Sequence, residues 1–331
     1  MTGQPLDLRG LNGPVVVIVN PAASRIRNAR RGRSIVAEVE AWVREATGRG
    51  PMVVRVADAA SIDAAGPDAI RSGASLVIAV GGDGTVAALT AELAGSDVPL
   101  AIIPGGTGNV LAAALGIPNR PGSAIAKMST GVIRTIDLGV ATLPAADEAS
   151  PTDASPAPTR LFAVAAGVGW DARVMAATAG PHKHRLGRLA YWVSAFGLLR
   201  EMRPVPYVIE IDGERLELEA TVALVANAGE LVPGLVRPRL PIVPDDGLLD
   251  LIVLRVSSVA GGIRGALELL DRTELGGSPS GAALRVRGRV IRIEARPAQP
   301  RQVDGDGQGV GALVASVRPG VLRVIVPRND P

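Results

Sequence analysis

Residues 76–85, LVIAVGGDGT, combine an apolar run of strand length with a glycine-rich turn, and a helical stretch opens at Val86. Glycines at such a place let the main chain approach a ligand closely, and free amides at the start of a helix attract an anion. The stretch therefore predicts a buried β-strand that ends in a phosphate-binding turn. Taken alone, it is also compatible with an ordinary tight turn between a strand and a helix.

Residues 100–109, LAIIPGGTGN, repeat this pattern before the helical sequence VLAAALGI. Open parallel sheets bind ligands in the crevice beyond the carboxyl ends of their strands. We therefore expect the two glycine-rich turns to converge on one crevice. The matched pair favours a shared anion site over two unrelated turns.

The sequence around these turns alternates short Val/Ile/Leu runs with longer amphipathic stretches as far as about residue 117. This pattern predicts β-α-β units and a parallel sheet buried on both faces, which together make a doubly wound α/β domain. The predicted strands are 15–19, 52–56, 76–80 and 100–103, and the predicted helices are 34–46, 63–72 and 86–93.

Beyond about residue 136, strand-length segments are separated by Gly, Pro and Asp turns. They predict an antiparallel β domain with strands at 161–165, 208–211, 220–226, 249–254 and 290–295. Residues 185–201 carry apolar side chains at helical spacing, which predicts one inserted helix. Residues 142–159 are rich in Ala, Pro, Ser and Asp and lack apolar periodicity, so a disordered surface loop is expected there.

The composition of the 331-residue chain excludes several kinds of site. Cysteine is absent and histidine occurs only at His182 and His184, so thiolate chemistry is ruled out and a metal would be held by oxygen ligands. Aromatic residues make up only 2%, which leaves few platforms for base stacking, and we expect no nucleic-acid partner. No signal sequence or membrane-spanning run is visible, so a cytoplasmic protein is expected.

The two turns belong to an ordered set of motifs: VNPAAS at 19–24, GGDGT at 81–85, PGGTGN at 104–109, GVGWDARV at 167–174, PDDGLLDLIVL at 244–254, VDGD at 303–306 and RPGVLRVIVP at 318–327. This set resembles the diacylglycerol kinase catalytic family along nearly the whole chain. The resemblance implies an NAD-kinase-like α/β nucleotide domain at 1–136, to which a C-terminal strand at about 319–331 returns. It also implies a β-rich, sandwich-like lipid-substrate domain at 137–318. The flexible loop that the composition predicts at 142–159 lies within this second domain.

The resemblance assigns a group of residues to ATP. They comprise the side chain of Asn20, the first-turn residues Gly81, Gly82, Asp83, Gly84 and Thr85, and the second-turn residues Gly106, Thr107 and Asn109. A carboxylate beside a triphosphate is repelled unless it ligates a cation or takes up a proton, so Asp83 is assigned to the metal and water network. Its alternative role is to cap the helix that starts after Thr85.

Paired carboxylates at Asp245 and Asp246 indicate either a hard-cation site or a solvated hairpin turn. By resemblance, Asp246 and the carbonyl groups of Val243 and Leu248 hold a structural Mg²⁺, while Asp245 faces the active-site network. Asp171 matches a position that binds the acceptor headgroup in sphingosine kinases, so the resemblance places it on the substrate side.

Asp306 stands where the family has the Glu of its DGE motif, which serves as the catalytic base. Asp is one methylene shorter, and a displacement of about 1 Å in a catalytic group costs roughly a hundredfold in rate. A plain glycine-rich β-turn is the alternative interpretation. The sequence also has Ala87, Ala88 and Val110 where relatives often carry Asn, Glu and Asp, which keeps open a nucleotide- or lipid-binding protein with little turnover.

The resemblance implies a kinase that depends on ATP and Mg²⁺ and phosphorylates a membrane lipid such as diacylglycerol, in peripheral contact with the inner membrane surface. A kinase of a soluble acceptor, as in NAD kinases, is the second enzyme hypothesis.

The arginines at 25, 27, 30, 31 and 33 could clamp phosphates or attract anionic headgroups, or could form a solvated face. Those at 285, 287 and 289 alternate along a strand and predict a wet face. A homodimer is compatible with the sequence.

Overall fold

A computed structural model describes residues 4–5, 8–144, 156–169, 203–229, 242–255 and 281–328. The chain divides into two compact units, Met1–Ile136 with Gly320–Pro331 and Asp137–Pro319. The helix predicted at 185–201 and residues 145–155 of the predicted loop lie outside the described residues. In the parts of the chain that are described, no helix is long and apolar enough to cross a membrane.

The first unit is an α/β domain built on a parallel sheet. Its elements are β1 (Gln4–Pro5), β2 (Val15–Val19), α1 (Ala29–Thr47), β3 (Met52–Arg55), α2 (Ala59–Arg71), β4 (Leu76–Gly81), α3 (Asp83–Leu93), β5 (Leu100–Pro104), α4 (Val110–Ala114), α5 (Pro121–Met128) and most of the first half of β6 (Val132–Thr142). The parallel strands lie in the order β3-β2-β4-β5. β2, β4 and β5 are buried along their whole length, as their continuous Val/Ile/Leu runs predict.

The helices of this unit begin a few residues earlier than the apolar periodicity predicts, because capping interactions define their starts. The side chain of Asn28 accepts the amides of Arg30 and Arg31 at the start of α1. Asp58 and Ser61 form a reciprocal capping box at the start of α2. The start of α3 has Gly82 as its cap residue, so the glycine turn leads directly into the helix.

The second unit is rich in antiparallel strands. Its elements are β7 (Thr159–Phe162), β8 (Ala165–Gly169), β9 (Val205–Ile211), β10 (Glu214–Ala220), β11 (Val222–Ala226), β12 (Leu249–Leu254), β13 (Ala283–Gly288), β14 (Val290–Ala295), β15 (Pro300–Val303), β16 (Asp306–Val310) and the first part of β17 (Leu313–Val326). One sheet has the order β13-β12-β11-β8-β15-β16, and the other group has the order β10-β9-β14-β17. A shared core of alternating side chains, including Phe162, Tyr207, Leu251 and Ile293, packs these layers as in a sandwich. The predicted fold class is confirmed.

The strand β17 continues past the second unit. Its residues Leu313 and Ser316 pair antiparallel with β14, whereas Val324 lies parallel to Leu100 of β5 in the first unit's sheet. The final part of β17, residues 320–326, therefore belongs to the α/β domain, and the two units are connected by this strand as well as by β6.

Candidate functional site

The two glycine-rich turns lie side by side at the carboxyl edge of the parallel sheet. Gly81 pairs with Pro104 in the β4–β5 ladder, and the amide of Gly105 donates to the carbonyl oxygen of Gly81 at 2.7 Å. The backbones approach so closely that a Cβ atom on Gly106 would lie 2.6 Å from the Cα atom of Gly82. Only glycine allows this approach, which explains the residue type in both turns.

Asp83 joins the two turns through its carboxylate. One oxygen accepts the backbone amide of Asn109 at 2.8 Å, and the other accepts the amide of Val110 at 2.6 Å. Asp83 lies in the first turn of α3, yet its side chain caps the neighbouring helix α4. The capping role thus differs from the predicted alternative, in which Asp83 caps its own helix. Its assignment to a metal and water network stays a prediction.

Asn109 closes the second turn on itself. Its side-chain oxygen accepts the amide of Gly106 at 3.0 Å, and its side-chain nitrogen donates to the carbonyl oxygen of Gly106 at 2.9 Å. The same nitrogen donates to the side-chain oxygen of Asn119 at 2.7 Å, which Arg25 also contacts at 2.9 Å. Burial, and then the charge of Arg31, lowers the pKa of Arg25. Sequence reasoning missed Asn119, because it lies outside every glycine motif.

Asn20 and Thr85 connect the end of β2 to α3. The side-chain nitrogen of Asn20 donates to the hydroxyl of Thr85 at 2.8 Å, while its side-chain oxygen accepts the amide of Ala22 at 2.9 Å. Thr85 is only 2% exposed, so its hydroxyl lies within the fold. By contrast, Thr107 is exposed, and its hydroxyl donates to that of Ser24 at 3.1 Å.

The start of α3 has the features of a phosphate site. Its cap residue is Gly82, which has no side chain to bind the first backbone amides of the helix. Gly84, in the first turn of the helix, is exposed, and a Cβ atom placed on it would have no other atom within 4 Å. The carboxylate of Asp83 does not cover this helix start, because it accepts the amides at the start of α4. The positive end of the α3 dipole is thus approachable from outside, which suits a triphosphate.

In the second unit, the VDGD motif forms the tight turn between β15 and β16. The carboxylate of Asp304 accepts the amides of Ala163, Val164 and Ala165 at 2.8–2.9 Å. These bonds also interrupt the strand predicted at 161–165, which is divided into β7 and β8. Asp306 begins β16 opposite Val303 and is exposed. This placement is compatible with a plain glycine-rich β-turn and also with Asp306 as the catalytic base. The role of Asp306 as the base stays a prediction.

The DDG turn is held by Asp137, a residue that sequence reasoning did not assign. Its buried carboxylate accepts the amide of Gly247 at 2.7 Å, and its own amide donates to the carbonyl oxygen of Pro244 at 2.6 Å. The side-chain nitrogen of Asn227 in turn donates to the carbonyl oxygen of Asp137 at 2.9 Å. The backbone position of Asp245 and Asp246 therefore follows from contacts distant in sequence.

The turn does not fit the predicted magnesium site as it stands. One carboxylate oxygen of Asp246 is ion-paired with Arg287, and the other accepts the amide of Leu248 at 3.1 Å. Among the described residues, no group of three or more acidic or histidine side chains could hold a metal ion. Of the groups assigned to Mg²⁺, Val243 and Leu248 would contribute only carbonyl oxygens. The one charged ligand among them, Asp246, is already neutralised by Arg287.

The prediction of a wet face at 285, 287 and 289 is wrong for Arg285. This side chain is 5% exposed, and its Nε donates to Asp250 at 2.7 Å. The alternation of basic residues along one strand does not reveal that the neighbouring strand supplies the carboxylate of Asp250 as a partner. Arg289 is exposed, as the pattern predicted.

The predicted site residues are divided between the two units. The turns with Asn20, Asp83 and Asn109 belong to the first unit, and Asp245, Asp246 and Asp306 belong to the second. Their convergence on one reaction centre stays a prediction. Asp171 lies outside the described residues.

Comparisons with known proteins place these features in a family. The family model of the diacylglycerol kinase catalytic domain matches residues 14–141, and that of the YegS C-terminal NAD kinase beta sandwich-like domain matches residues 163–326. A Pseudomonas aeruginosa protein named "Probable lipid kinase YegS-like" is 30% identical over 269 residues, which cover 80% of each chain. A diacylglycerol kinase of Mycobacterium tuberculosis is 27% identical over 332 residues, which cover 96% of each chain.

A crystal structure titled as a diacylglycerol kinase from Bacillus anthracis matches with a TM-score of 0.68 at 20% identity, covering 96% of this chain and 97% of that one. This match shows the shared fold. The chain also spans 55% of the length of an uncharacterized Synechocystis protein, to which it is 29% identical. Because both family models match in order and a relative of 30% identity is covered to 80% of its length, the chain belongs to the diacylglycerol kinase catalytic family, with a YegS-type β-sandwich-like domain as its second part.

Proposed function

We propose that the chain is an ATP-dependent lipid kinase, which transfers the γ-phosphoryl group to a hydroxyl of a membrane lipid such as diacylglycerol. The observation that carries this proposal is the pair of glycine turns joined by Asp83 beside the open start of α3. A helix start that lacks a side-chain cap is a ready site for phosphate. Membership of a family whose named relatives include lipid kinases supports the choice of acceptor.

In the proposed reaction, the acceptor hydroxyl oxygen forms a bond to the γ-phosphorus while the bond to the β,γ-bridging oxygen breaks and ADP leaves. The carboxylate of Asp306 takes up the hydroxyl proton. Backbone amides at the start of α3 stabilise negative charge on the phosphoryl oxygens. Asp83 contributes by holding the two turns in one rigid arrangement, so these donors need no reorganisation. The family implies a divalent cation, Mg²⁺, as the companion of ATP.

Peripheral contact with an anionic membrane surface is part of the proposal. Four exposed arginines lie together at the start of α1, namely Arg27, Arg30, Arg31 and Arg33. Each basic residue near an anionic surface contributes about 1 kcal/mol of attraction. Flotation of the protein with vesicles of phosphatidylcholine alone and with added phosphatidylglycerol measures this contact, and equal flotation with both would contradict it.

The experiment that tests the proposal is the transfer of γ-labelled phosphate from ATP. The acceptors are diacylglycerol, phosphatidylglycerol and sphingosine in mixed micelles, with NAD as a soluble acceptor, and the Asp306→Asn variant serves as the control for specific turnover. Label in a lipid supports the proposal. Label only in the soluble acceptor contradicts the lipid assignment.

A second candidate function is nucleotide or lipid binding with little turnover. It is favoured by Asp306 in the place of the family's Glu and by Ala87 and Ala88 after the first turn. ATP binding at the start of α3 without transfer to any acceptor would support this function in place of the kinase.

A further inference from the structure

The turn that family resemblance assigns to a structural Mg²⁺ has a guanidinium beside its carboxylate. Nη2 of Arg287 is ion-paired with Oδ2 of Asp246, and the amide of Leu248 donates to Oδ1 at 3.1 Å. Both oxygens of Asp246 therefore already have a donor. The two side chains are only about one-quarter exposed, at 24% and 25%, so solvent screens their attraction weakly.

On its other side, Arg287 faces the carboxylate of Asp250 at ion-pair distance, without a hydrogen bond from its Nε. The two residues lie directly opposite each other in the β12–β13 ladder, and Nε of Arg287 lies 3.5 Å from Oδ1 of Asp250. The same oxygen accepts Nε of Arg285 at 2.7 Å, with both of those side chains almost fully buried. The four residues thus form an alternating chain of charges, in the order Asp246, Arg287, Asp250 and Arg285.

This arrangement opposes a divalent cation on electrostatic grounds. The two arginines pair with Asp246 and Asp250, so a dication bound to Asp246 would lie next to a guanidinium that already neutralises this carboxylate. To reach Asp246 it would have to displace Arg287 and leave Asp250 with one fewer partner, and buried charges that lose a partner are strongly destabilising. In return, the turn offers the cation the neighbouring carboxylate of Asp245 and backbone carbonyl groups, and hard cations bind weakly to sites of low ligand charge.

We propose that Arg287 supplies at this turn the positive charge that a metal ion supplies in the family, so that the second unit folds without a divalent cation. The sequence signal is a basic residue on β13 opposite the Asp of the LLDL segment that follows the DDG turn. The inference concerns folding and does not depend on the proposed kinase activity.

The first test needs no substitution. Thermal unfolding of the purified full-length chain is followed after exhaustive chelation and after addition of millimolar Mg²⁺ or Ca²⁺, without nucleotide. The same midpoint in all three conditions is expected. A midpoint that falls on chelation and recovers with either cation would overturn the proposal.

The second test uses Arg287→Met, with Arg289→Met as the matched control on the same segment. Arg289 is exposed, so its loss is expected to leave the midpoint unchanged. Arg287→Met is expected to lower the midpoint by about 5–10 °C and to make it rise again with millimolar Mg²⁺, because the carboxylate of Asp246 is released. Adding Asp246→Asn to this variant should abolish the response to Mg²⁺.

An Arg287→Met variant with the wild-type midpoint and no response to Mg²⁺ would overturn the proposal. If that variant fails to fold, the chelation experiment on the wild-type chain still decides the question. Neither measurement uses phosphoryl transfer, so a failure of the proposed function and a failure of this inference are distinguishable.

Discussion

The carboxylate of Asp83 in the first glycine turn accepts the backbone amide of Asn109 in the second turn at 2.8 Å. A second bond, to the amide of Val110 at 2.6 Å, makes the contact bidentate. Two turns separated by some 25 residues of chain are thereby fixed to each other at the edge of the sheet. Asp83 therefore shapes the candidate phosphate site even before any ligand is bound.

Asp83→Asn is expected to destabilise the first unit without ligand by about 1–3 kcal/mol. Asn has only one side-chain oxygen, so its NH₂ group would face one of the two backbone N–H groups that the carboxylate of Asp83 accepts. Thermal unfolding in the absence of nucleotide and metal measures this effect. Asp63→Asn is a suitable control, since Asp63 is an exposed residue of α2 in the same unit. An unchanged midpoint in Asp83→Asn would contradict the structural role and leave only a role in the metal network.

Gly84→Ala is expected to leave stability unchanged or raise it by up to about 1 kcal/mol, since no atom lies within 4 Å of the new Cβ and the residue is helical. The methyl group would stand at the start of α3, where a phosphate is proposed to bind. We therefore expect ATP affinity to fall about tenfold, a loss of about 1.4 kcal/mol. Calorimetric titration with ATP measures it, and unchanged affinity would move the phosphate site elsewhere.

Gly106→Ala should behave in the opposite way. Its Cβ would lie 2.6 Å from the Cα atom of Gly82, and backbone atoms cannot move aside as a flexible side chain can. A loss of stability of about 1–3 kcal/mol is expected. Chemical denaturation of this variant beside Gly84→Ala would separate the packing role of one glycine from the ligand role of the other, and equal effects would refute the distinction.

Asp306→Asn is expected to lower kcat for lipid phosphorylation by about 10²–10⁴-fold while stability stays unchanged, because the residue is exposed and its carboxylate is proposed to take up the acceptor proton. Asp306→Glu, which restores the family residue, should retain or raise activity. Glu214→Gln, at another exposed position of the second unit, controls for the loss of a surface charge. Full activity in Asp306→Asn would reject the base assignment.

Asp304→Asn should show the reverse profile. Its carboxylate accepts three backbone amides, so its loss is expected to destabilise the second unit by about 2–4 kcal/mol. The turn that carries Asp306 would lose its anchor to the segment between β7 and β8. Urea unfolding monitored by circular dichroism measures the effect, and a stability equal to that of Asp306→Asn would count against this anchoring role.

Much of the α/β unit could be predicted from the sequence, because its determinants are local. The Val/Ile/Leu runs of β2, β4 and β5 have no polar positions, and such runs are stable only as strands buried on both faces. Glycines after two of these strands predicted the turns, since the close approach of Gly82 and Gly106 tolerates no side chain. Helix starts were less predictable, because caps such as Asn28 and Asp58 lie outside the apolar pattern.

The roles of the charged residues were decided by the tertiary structure. Asp83, Asp304 and Asp137 each bind amides that lie far away in sequence, at separations of 26 to 141 residues, and composition or spacing cannot report such contacts. Arg285 and Arg287 look solvated in the sequence because their carboxylate partners come from elsewhere in the chain, Asp250 from the adjacent strand and Asp246 from the turn before it. Thus the sequence alone determined the elements and the glycine turns, through local sterics and hydrophobic burial. Only the tertiary structure determines which charged side chains form ion pairs, because ion pairing depends on the distances between side chains that strand register sets.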